Sequence, residues 1–355
     1  VNPDIVVTFY GDLFDYPYLF ERMTHWHIPD FLTRISGSPC FKRESGLRTM
    51  WEIPGRCNFD LQYEVNADQR LYGLKNRKLE TVGEYFRAEG MTEAFPIILP
   101  EGIYRTIRDR GVNAIGAYNM ADVNVTHEIA VNVYYPLLIS LARDVVRCDL
   151  QSIVWRTPYW FSETLLGRRF QSENILCDGT NEERFPKVFK YIDKHFDESK
   201  GKIRPTGALV ELRHRGLMRN VTKFDFSSMY PSIIRAHNLS PETVHFEGLL
   251  KDIDHPGWHA KYTNEDEEKK YAELYDPNLR CIWCISIDKE QGILPEYERE
   301  LMEMRAKERK DKTDGYQTRQ GALKIAANSM FGNQRLGFAS RANVLVSLAI
   351  LAFGR

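Results

Sequence analysis

The chain has 355 residues, of which 43% are hydrophobic and 27% charged, and these values exclude wholesale disorder and collagen-like order. Its 48 basic and 49 acidic residues leave a formal net charge of −1, so a polyanionic partner would have to be met by a local patch rather than a global field. The length exceeds the usual ~100–200 residues of one domain, the six cysteines are too sparse for a disulfide scaffold, and the apolar run 344–353 is too short to cross a bilayer.

In chain order, residues 5–9 read as a buried strand leading into a Gly11-Asp12 turn, and 16–26 as an amphipathic helix. Residues 56–63 read as another strand, 79–88 as a short helix, and 120–143 as a long helix whose apolar positions (Val125, Ile129, Val133, Leu137, Leu141) step by four. Strands alternating with helices are the α/β signature. Helical segments dominate 145–196, and the charged stretch 197–201 reads as a linker or turn.

A second, β-rich unit begins near Gly207. There 208–212 and 221–226 look like strands joined by a turn at 214–216, and 230–237 turns helical. The stretch 251–276, rich in Asp, Glu, Lys and Tyr, reads as a solvated insertion. Residues 280–287 form a strand, and Pro295 opens a charged helix reaching about Lys312. The break Thr313-Asp314-Gly315 and a second helix at 317–330 complete an antiparallel hairpin. The chain opens in a core-like strand and closes at 341–355 in an apolar helix still running, so an internal piece of a larger protein is expected.

Two segments carry chemistry. In TKFDFSSMYPSII (222–234) an apolar strand delivers Asp225 to its end, where a carboxylate suits Mg²⁺, a hard cation wanting oxygen ligands. The amides of Ser228 and Met229, at a helix start, suit phosphate oxygens. A strand-terminal Asp that merely caps the next helix gives the same pattern. In KIAANSMFG (324–332), Lys324, Asn328 and Phe331 share one helical face, a cation, an amide and a ring that match a nucleoside triphosphate. Arg305 and Arg309 share a face of the opposing helix. From Arg305 to Lys324 there are seven basic residues against three acidic, a local patch hidden in the whole-chain charge, although a solvated hairpin reads the same way. Cys281 and Cys284 lack a second pair, and a strand would point them to opposite faces, so they read as inert rather than as a zinc site.

Taken together, DxxSxYPSII at 225–234 and KxxxNSxxG at 324–332 resemble the B-family (α-like) DNA polymerases, most like archaeal members. His237-Asn238-Leu239-Ser240-Pro241-Glu242-Thr243, Gly292-Ile293-Leu294-Pro295 and Arg319-Gln320 extend the likeness. TFYGDLFDYPYL (8–19) and Tyr118-Asn119-Met120-Ala121-Asp122 resemble the second and third motifs of the family's 3′–5′ exonuclease. The resemblance implies an α/β and α+β multidomain chain: a partial RNase H-like exonuclease at 1–143, a helical connection at 144–205, a partial palm at 206–290 with the insertion, helical-hairpin fingers and a second motif at 291–340, and a truncated return helix at 341–355.

What the resemblance implies for chemistry is template-directed deoxynucleotide transfer to a primer 3′-OH in replication, with two-metal Mg²⁺ sites. Asp225 and the Phe226 carbonyl would hold metal in the palm, and Asp15 and Asp122 in the exonuclease, with Tyr118 positioning water. Ser228 and Met229 amides, Arg305, Arg309 and Lys324 would hold the triphosphate. Asn328 and Phe331 would line the nascent pair, and Tyr230 would act as a steric gate. Implied partners are primer-template DNA, dNTPs, a C-terminal segment with the palm's Asp-Thr-Asp and the thumb, and a sliding clamp, but no membrane. The implied location is cytoplasmic or nucleoid-associated, or nuclear in a eukaryote.

The chain departs from the family pattern in places. The exonuclease's Asp-x-Glu would precede Val1, Tyr10 replaces a usual Asn, Phe331 a usual Tyr, and Arg309 a frequent Lys. A degenerate or incomplete exonuclease is therefore expected, and no primer extension by these 355 residues alone. Two alternatives stay open: a nuclease acting mainly through Asp15 and Asp122, and a non-catalytic DNA-binding remnant.

Overall fold

The computed structural model describes residues 3–28, 37–45, 48–99, 102–156, 158–177, 179–194, 196–197, 201–202, 215–222, 224–226 and 228–355. It divides into two compact units, Val1–Trp155 and Arg156–Arg355.

In the first unit, the strand β1 (Ile5–Thr8) precedes α1 (Asp15–His25), which buries Tyr16 and Met23. The antiparallel pair β2 (Phe41–Ser45) and β3 (Arg48–Glu52) follows. The strand expected at 56–63 splits. Its first part is β4 (Cys57–Asp60), buried throughout and parallel to β1 with Thr8 opposite Asp60. Asp60 then ends it by accepting the Gln62 amide at 3.0 Å and capping α2 (Leu61–Ala67). Helices α3 (Leu79–Ala88) and α4 (Ile103–Arg110) lead to the long helical run.

That run starts earlier than its apolar stepping suggests. It is α5 (Val112–Glu128), a wide π-helical turn at Ile129–Tyr134, α6 (Tyr135–Ser140) and a second such turn at Leu141–Val145. Pro136 lacks an amide, and the Tyr135 amide reaches back five residues to Ala130. The extra residue rotates the buried stripe, so Tyr134 and Leu138 are buried in place of the expected Val133 and Leu137. The unit ends with α7 (Leu150–Trp155).

The second unit begins with α8 (Pro158–Ser172), α9 (Asn181–Arg184) and α10 (Pro186–Lys194). Two residues each of β5 (Phe196–Asp197) and β6 (Gly201–Lys202) pair around the expected turn. The strand expected at 208–212 lies outside the described residues. The one expected at 221–226 is not a strand: its described residues are irregular, and Val221, Phe224 and Phe226 are 70%, 90% and 82% exposed. A strand needs a neighbour for its amides and carbonyls, and among the described residues this segment has none.

Helix α11 (Met229–Ala236) leads into a four-stranded antiparallel sheet of β7 (Val244–Leu250), β8 (Ala260–Glu265), β9 (Lys269–Asp276) and β10 (Cys281–Asp288), in the order β7-β10-β9-β8. The supposed solvated insertion thus supplies two strands. β8 keeps its charges in water at the edge, while β9 buries Ala272, Leu274 and Tyr275. Cys281 is buried and Cys284 half-buried on β10, with burial pushing both thiols up.

The hairpin forms as expected from α12 (Ile293–Asp311) and α13 (Tyr316–Asn333), turning through Lys312 and Gly315 in the left-handed region. Helix α14 (Val344–Phe353) lies against the sheet and buries nearly every residue. Its cap is Asn343, whose Oδ1 accepts the Leu345 amide while Nδ2 donates to the carbonyls of Pro241 and Val244. Among the described residues no helix is long and apolar enough to cross a membrane.

Candidate active site

Helix α11 packs against both arms of the α12–α13 hairpin, and this brings the two motifs together. Ser228 stands at the start of α11 in the left-handed conformation, φ 54°, and its hydroxyl makes no capping bond. It accepts instead from Arg305 Nη1 at 3.4 Å. Arg305 Nε donates to Gln320 Oε1 at 3.3 Å, tying α12 to α13. In the first turn of α11, the Tyr230 ring lies 4.3 Å from the Phe331 ring between centroids. Burial, and then the nearby Arg309, hold Arg305 below the usual guanidinium range, so an anion that neutralised both would be favoured there.

On α13 the expected stripe is present. Lys324 and Asn328 are exposed and Phe331 half-buried, while Leu323, Ala326, Ala327 and Met330 face the interior. Lys324 and Arg309 have no carboxylate partner among the described residues. Arg319, counted in the basic surplus, is spent within the hairpin: Nε pairs with Glu308 at 2.9 Å and Nη2 donates to Thr313 Oγ1 at 2.6 Å.

Asp225 does not sit at the end of a strand. It is exposed in the irregular stretch beside Phe226, and no bond joins it to Arg305 or Lys324. Phe226 and Met229 instead line a hollow of about 320 Å³ on the other side of α11, with His237 and Phe353.

Sequence reasoning missed how the hairpin is held. Glycine opens α12 and supplies no side-chain cap, and the helix's first amides are taken by one distant loop. Gly292 N donates to Asn238 Oδ1 at 2.9 Å, Ile293 N to Glu242 Oε1 at 2.7 Å, and Leu294 N to Ser240 Oγ at 3.0 Å. A Cβ on Gly292 would meet the Ser240 Cβ at 2.6 Å, so glycine is required for that approach. The Asn, Ser and Glu of 238–242 were visible, but their partners were not. Glu298 was missed as well. It is 0% exposed on α12, neither carboxyl oxygen has a partner among the described residues, and burial pushes it up to about 8 against the opposing pull of Arg235.

In the first unit, Asp15 begins α1, and surrounding protein and then Asp60 raise its pKa. Asp60, not Asp15, organises the turn, accepting the amides of Tyr10 at 2.8 Å and Asp12 at 2.9 Å. Asp12 is buried, and its Oδ1 accepts from the Trp51 amide and from Asn58 Nδ2. Burial and then Asp60 push Asp12 up to about 7.

Asp122 answers to other neighbours. Burial raises its pKa, Tyr118 opposes that rise and Glu80 adds to it, and Tyr118 is itself pushed up to about 12 by burial and then Asp122. Tyr118 and Asp122 are thus brought together, one helical turn apart, but Asp15 and Asp122 share no neighbour that shifts either. Asp122 Oδ1 is buried without a partner, an oxygen that would suit a hard cation. No group of three or more His, Cys, Asp or Glu among the described residues could hold a metal ion. A cation at Asp122 or Asp225 would therefore rest on one or two carboxylates, as Mg²⁺ does when water and phosphate complete its shell.

The family model for DNA polymerase family B matches residues 163–351, and that for the family B exonuclease domain matches 1–82. A DNA polymerase of Pyrococcus glycovorans is 28% identical over 93% of this chain, which spans 38% of that relative. One from Thermococcus sp. (strain 9oN-7) is 29% identical over 71% of this chain and 30% of its own length. In fold, the family B DNA polymerase of Pyrobaculum calidifontis superposes with a TM-score of 0.67 at 24% identity, over 99% of this chain and 41% of that one. With one model matched over more than half its residues, the chain belongs to DNA polymerase family B.

Proposed function

We propose that this chain forms the exonuclease-to-fingers portion of a DNA-directed DNA polymerase that adds deoxynucleotides to a primer 3′-OH and releases pyrophosphate. The observation that carries the reading is the meeting of Ser228 and Tyr230 with Arg305, Gln320 and Phe331. Residues nearly a hundred positions apart build one wall with cations at its rim. Arg305, Arg309 and Lys324 would bind the triphosphate, and the amides of Ser228 and Met229 would orient its oxygens. The Tyr230 ring, braced by Phe331, would fill the space of a ribose 2′-OH.

Family B polymerases are in general metal dependent. Mg²⁺ held by Asp225 and the Phe226 carbonyl would supply charge neutralisation and a more acidic 3′-OH. Asp225 lies open, so we infer that a further polymerase segment, with a second carboxylate and a partner strand for 221–226, completes the site. The much greater length of the relatives supports this. Primer-template DNA, dNTPs, a sliding clamp and a nucleoid-associated location belong to the same reading. So does a weakened exonuclease using Asp15, Asp122 and Tyr118.

The test is primer extension by the completed protein. Arg305→Ala should lower kcat/KM for dNTP by about a hundredfold, the scale of one lost charge-assisted contact in the transition state, while 3′-degradation is unchanged. Equal extension by variant and parent would remove the triphosphate role. Degradation without any extension would favour the nuclease reading.

A further inference from the structure

We propose that Glu298 of α12 and Arg235 of α11 form a proton-operated joint at the foot of the hairpin. With its proton, the carboxyl seals the seam between the two helices; ionised, it draws the Arg235 guanidinium and water into the seam and loosens the seat of α12. The proposal goes beyond the nucleotide-transfer reading and does not rest on it.

Met302 and Arg305, four and seven residues on, share the Glu298 face of α12. Both reach α11: Arg235 Nη1 meets Met302 Sδ at 3.5 Å, and Arg305 Nη1 donates to Ser228 at 3.4 Å. Glu298 therefore lies in the α11–α12 seam, where it is fully buried and neither carboxyl oxygen has a partner among the described residues. Burying an unpaired carboxylate costs far more than burying the neutral acid, so the seam as packed holds the protonated form. Burial pushes Glu298 up to about 8, with Arg235 pulling the other way.

The charges on the elements packed against α12 are otherwise committed or turned outward. On α8, Arg169 pairs with Glu296 at 2.9 Å and Glu300 at 3.6 Å, and Glu163 takes Arg341 at 3.3 Å. On α12 itself, Arg299 turns to Glu296 at 3.6 Å. On α13, Arg319 is held by Glu308 and Lys324 is exposed. In the 238–242 loop, Glu242 accepts the Ile293 amide and the Ser240 hydroxyl. Arg235 is the one charged residue of α11, and it has no carboxylate partner among the described residues. It stands exposed on the wall of a hollow of about 360 Å³, with Ser232, Pro295 and Arg299. That hollow gives the proton a way out and the guanidinium room to turn inward. An acid that titrates higher in the packed seam than in water supports the seam at low pH. The support fades as pH rises from about 4.5 to 8.

The test is hydrogen exchange of the 355-residue chain between pH 6 and 9, corrected for the base catalysis of exchange itself, with the buried strand β10 as reference. Protection in α12 should fall at least about tenfold across that range while β10 holds. Glu298→Gln keeps the shape and cannot ionise, and Glu298→Leu fills the seam with an apolar side chain. In both, α12 protection should be the same at either pH. Arg235→Gln removes the cation that favours the carboxylate and should move the loss to higher pH. The proposal is overturned if α12 of the parent is equally protected at pH 6 and 9, or if the two Glu298 variants lose protection with pH as the parent does. It is also overturned if Arg235→Gln leaves the midpoint in place. None of these outcomes bears on the Arg305 extension test, which judges the polymerase reading separately.

Discussion

Asp60 and Asp225 are both acids a few residues ahead of a helix, and they differ in almost everything else. Asp60 ends β4, which pairs with β1, and three backbone amides point at its carboxylate. Asp225 lies in a segment with no partner strand among the described residues and stands in water. A carboxylate is placed by the strand that carries it, and that strand is placed by its neighbour. Sequence spacing alone cannot distinguish an acid already fixed from one awaiting its sheet.

The contrast can be broken most directly by paired truncations. Asp60→Ala strands the Tyr10 and Asp12 amides in a buried turn and should cost about 3 kcal/mol of unfolding free energy in urea titrations, whereas Asp225→Ala should change it by less than about 0.5 kcal/mol. Comparable losses would mean that Asp225 is anchored after all.

A second test uses protons. Asp12 titrates near 7 in the folded protein against an ordinary value of 3.8, so the folded state retains a proton that the unfolded chain releases first. The contribution is therefore present at acidic pH and lost as pH rises from about 4 to 7, then level above. Asp12→Asn should flatten that part of the stability profile. An unchanged slope in the variant would assign the dependence elsewhere, with buried Glu298 the next group to examine.

The smallest effect concerns Tyr10, which holds φ at 72° with its ring 46% exposed. Asparagine tolerates this left-handed region better, so Tyr10→Asn should raise stability by about 0.5–1 kcal/mol on thermal or urea unfolding. A loss would show that the tyrosine ring contributes more than its backbone costs.

What was legible in the residues follows the range of the forces involved. The hairpin could be read because its signals are local: Pro295 near one start, Gly315 at the turn, and apolar residues at helical spacing. The shared face of Lys324, Asn328 and Phe331 follows from helix geometry alone. A strand at 221–226 would need a neighbour that composition does not encode, whereas β8 and β9 pair with each other and β9 with the next strand, β10, a local pattern that the density of charge hid. The charges of β8 suggested solvent correctly, yet a sheet edge is also solvent. Pro136 was visible, but its wide turn moved the buried stripe by one residue, beyond what a count of four could detect.

The three bonds from 238–242 to the start of α12 have a mechanical consequence. That loop fixes one end of the helix, while packing on α13 and the Arg305–Gln320 and Arg319–Glu308 contacts tie it to the other arm, so the hairpin would tilt as one rigid arm about that pivot. From Ile293 to Arg309 the arm is roughly 24 Å long at 1.5 Å per residue, so a tilt of about 10° at the pivot would carry Arg309 about 4 Å. Small adjustments in the loop beside the sheet are thereby magnified at the far cations.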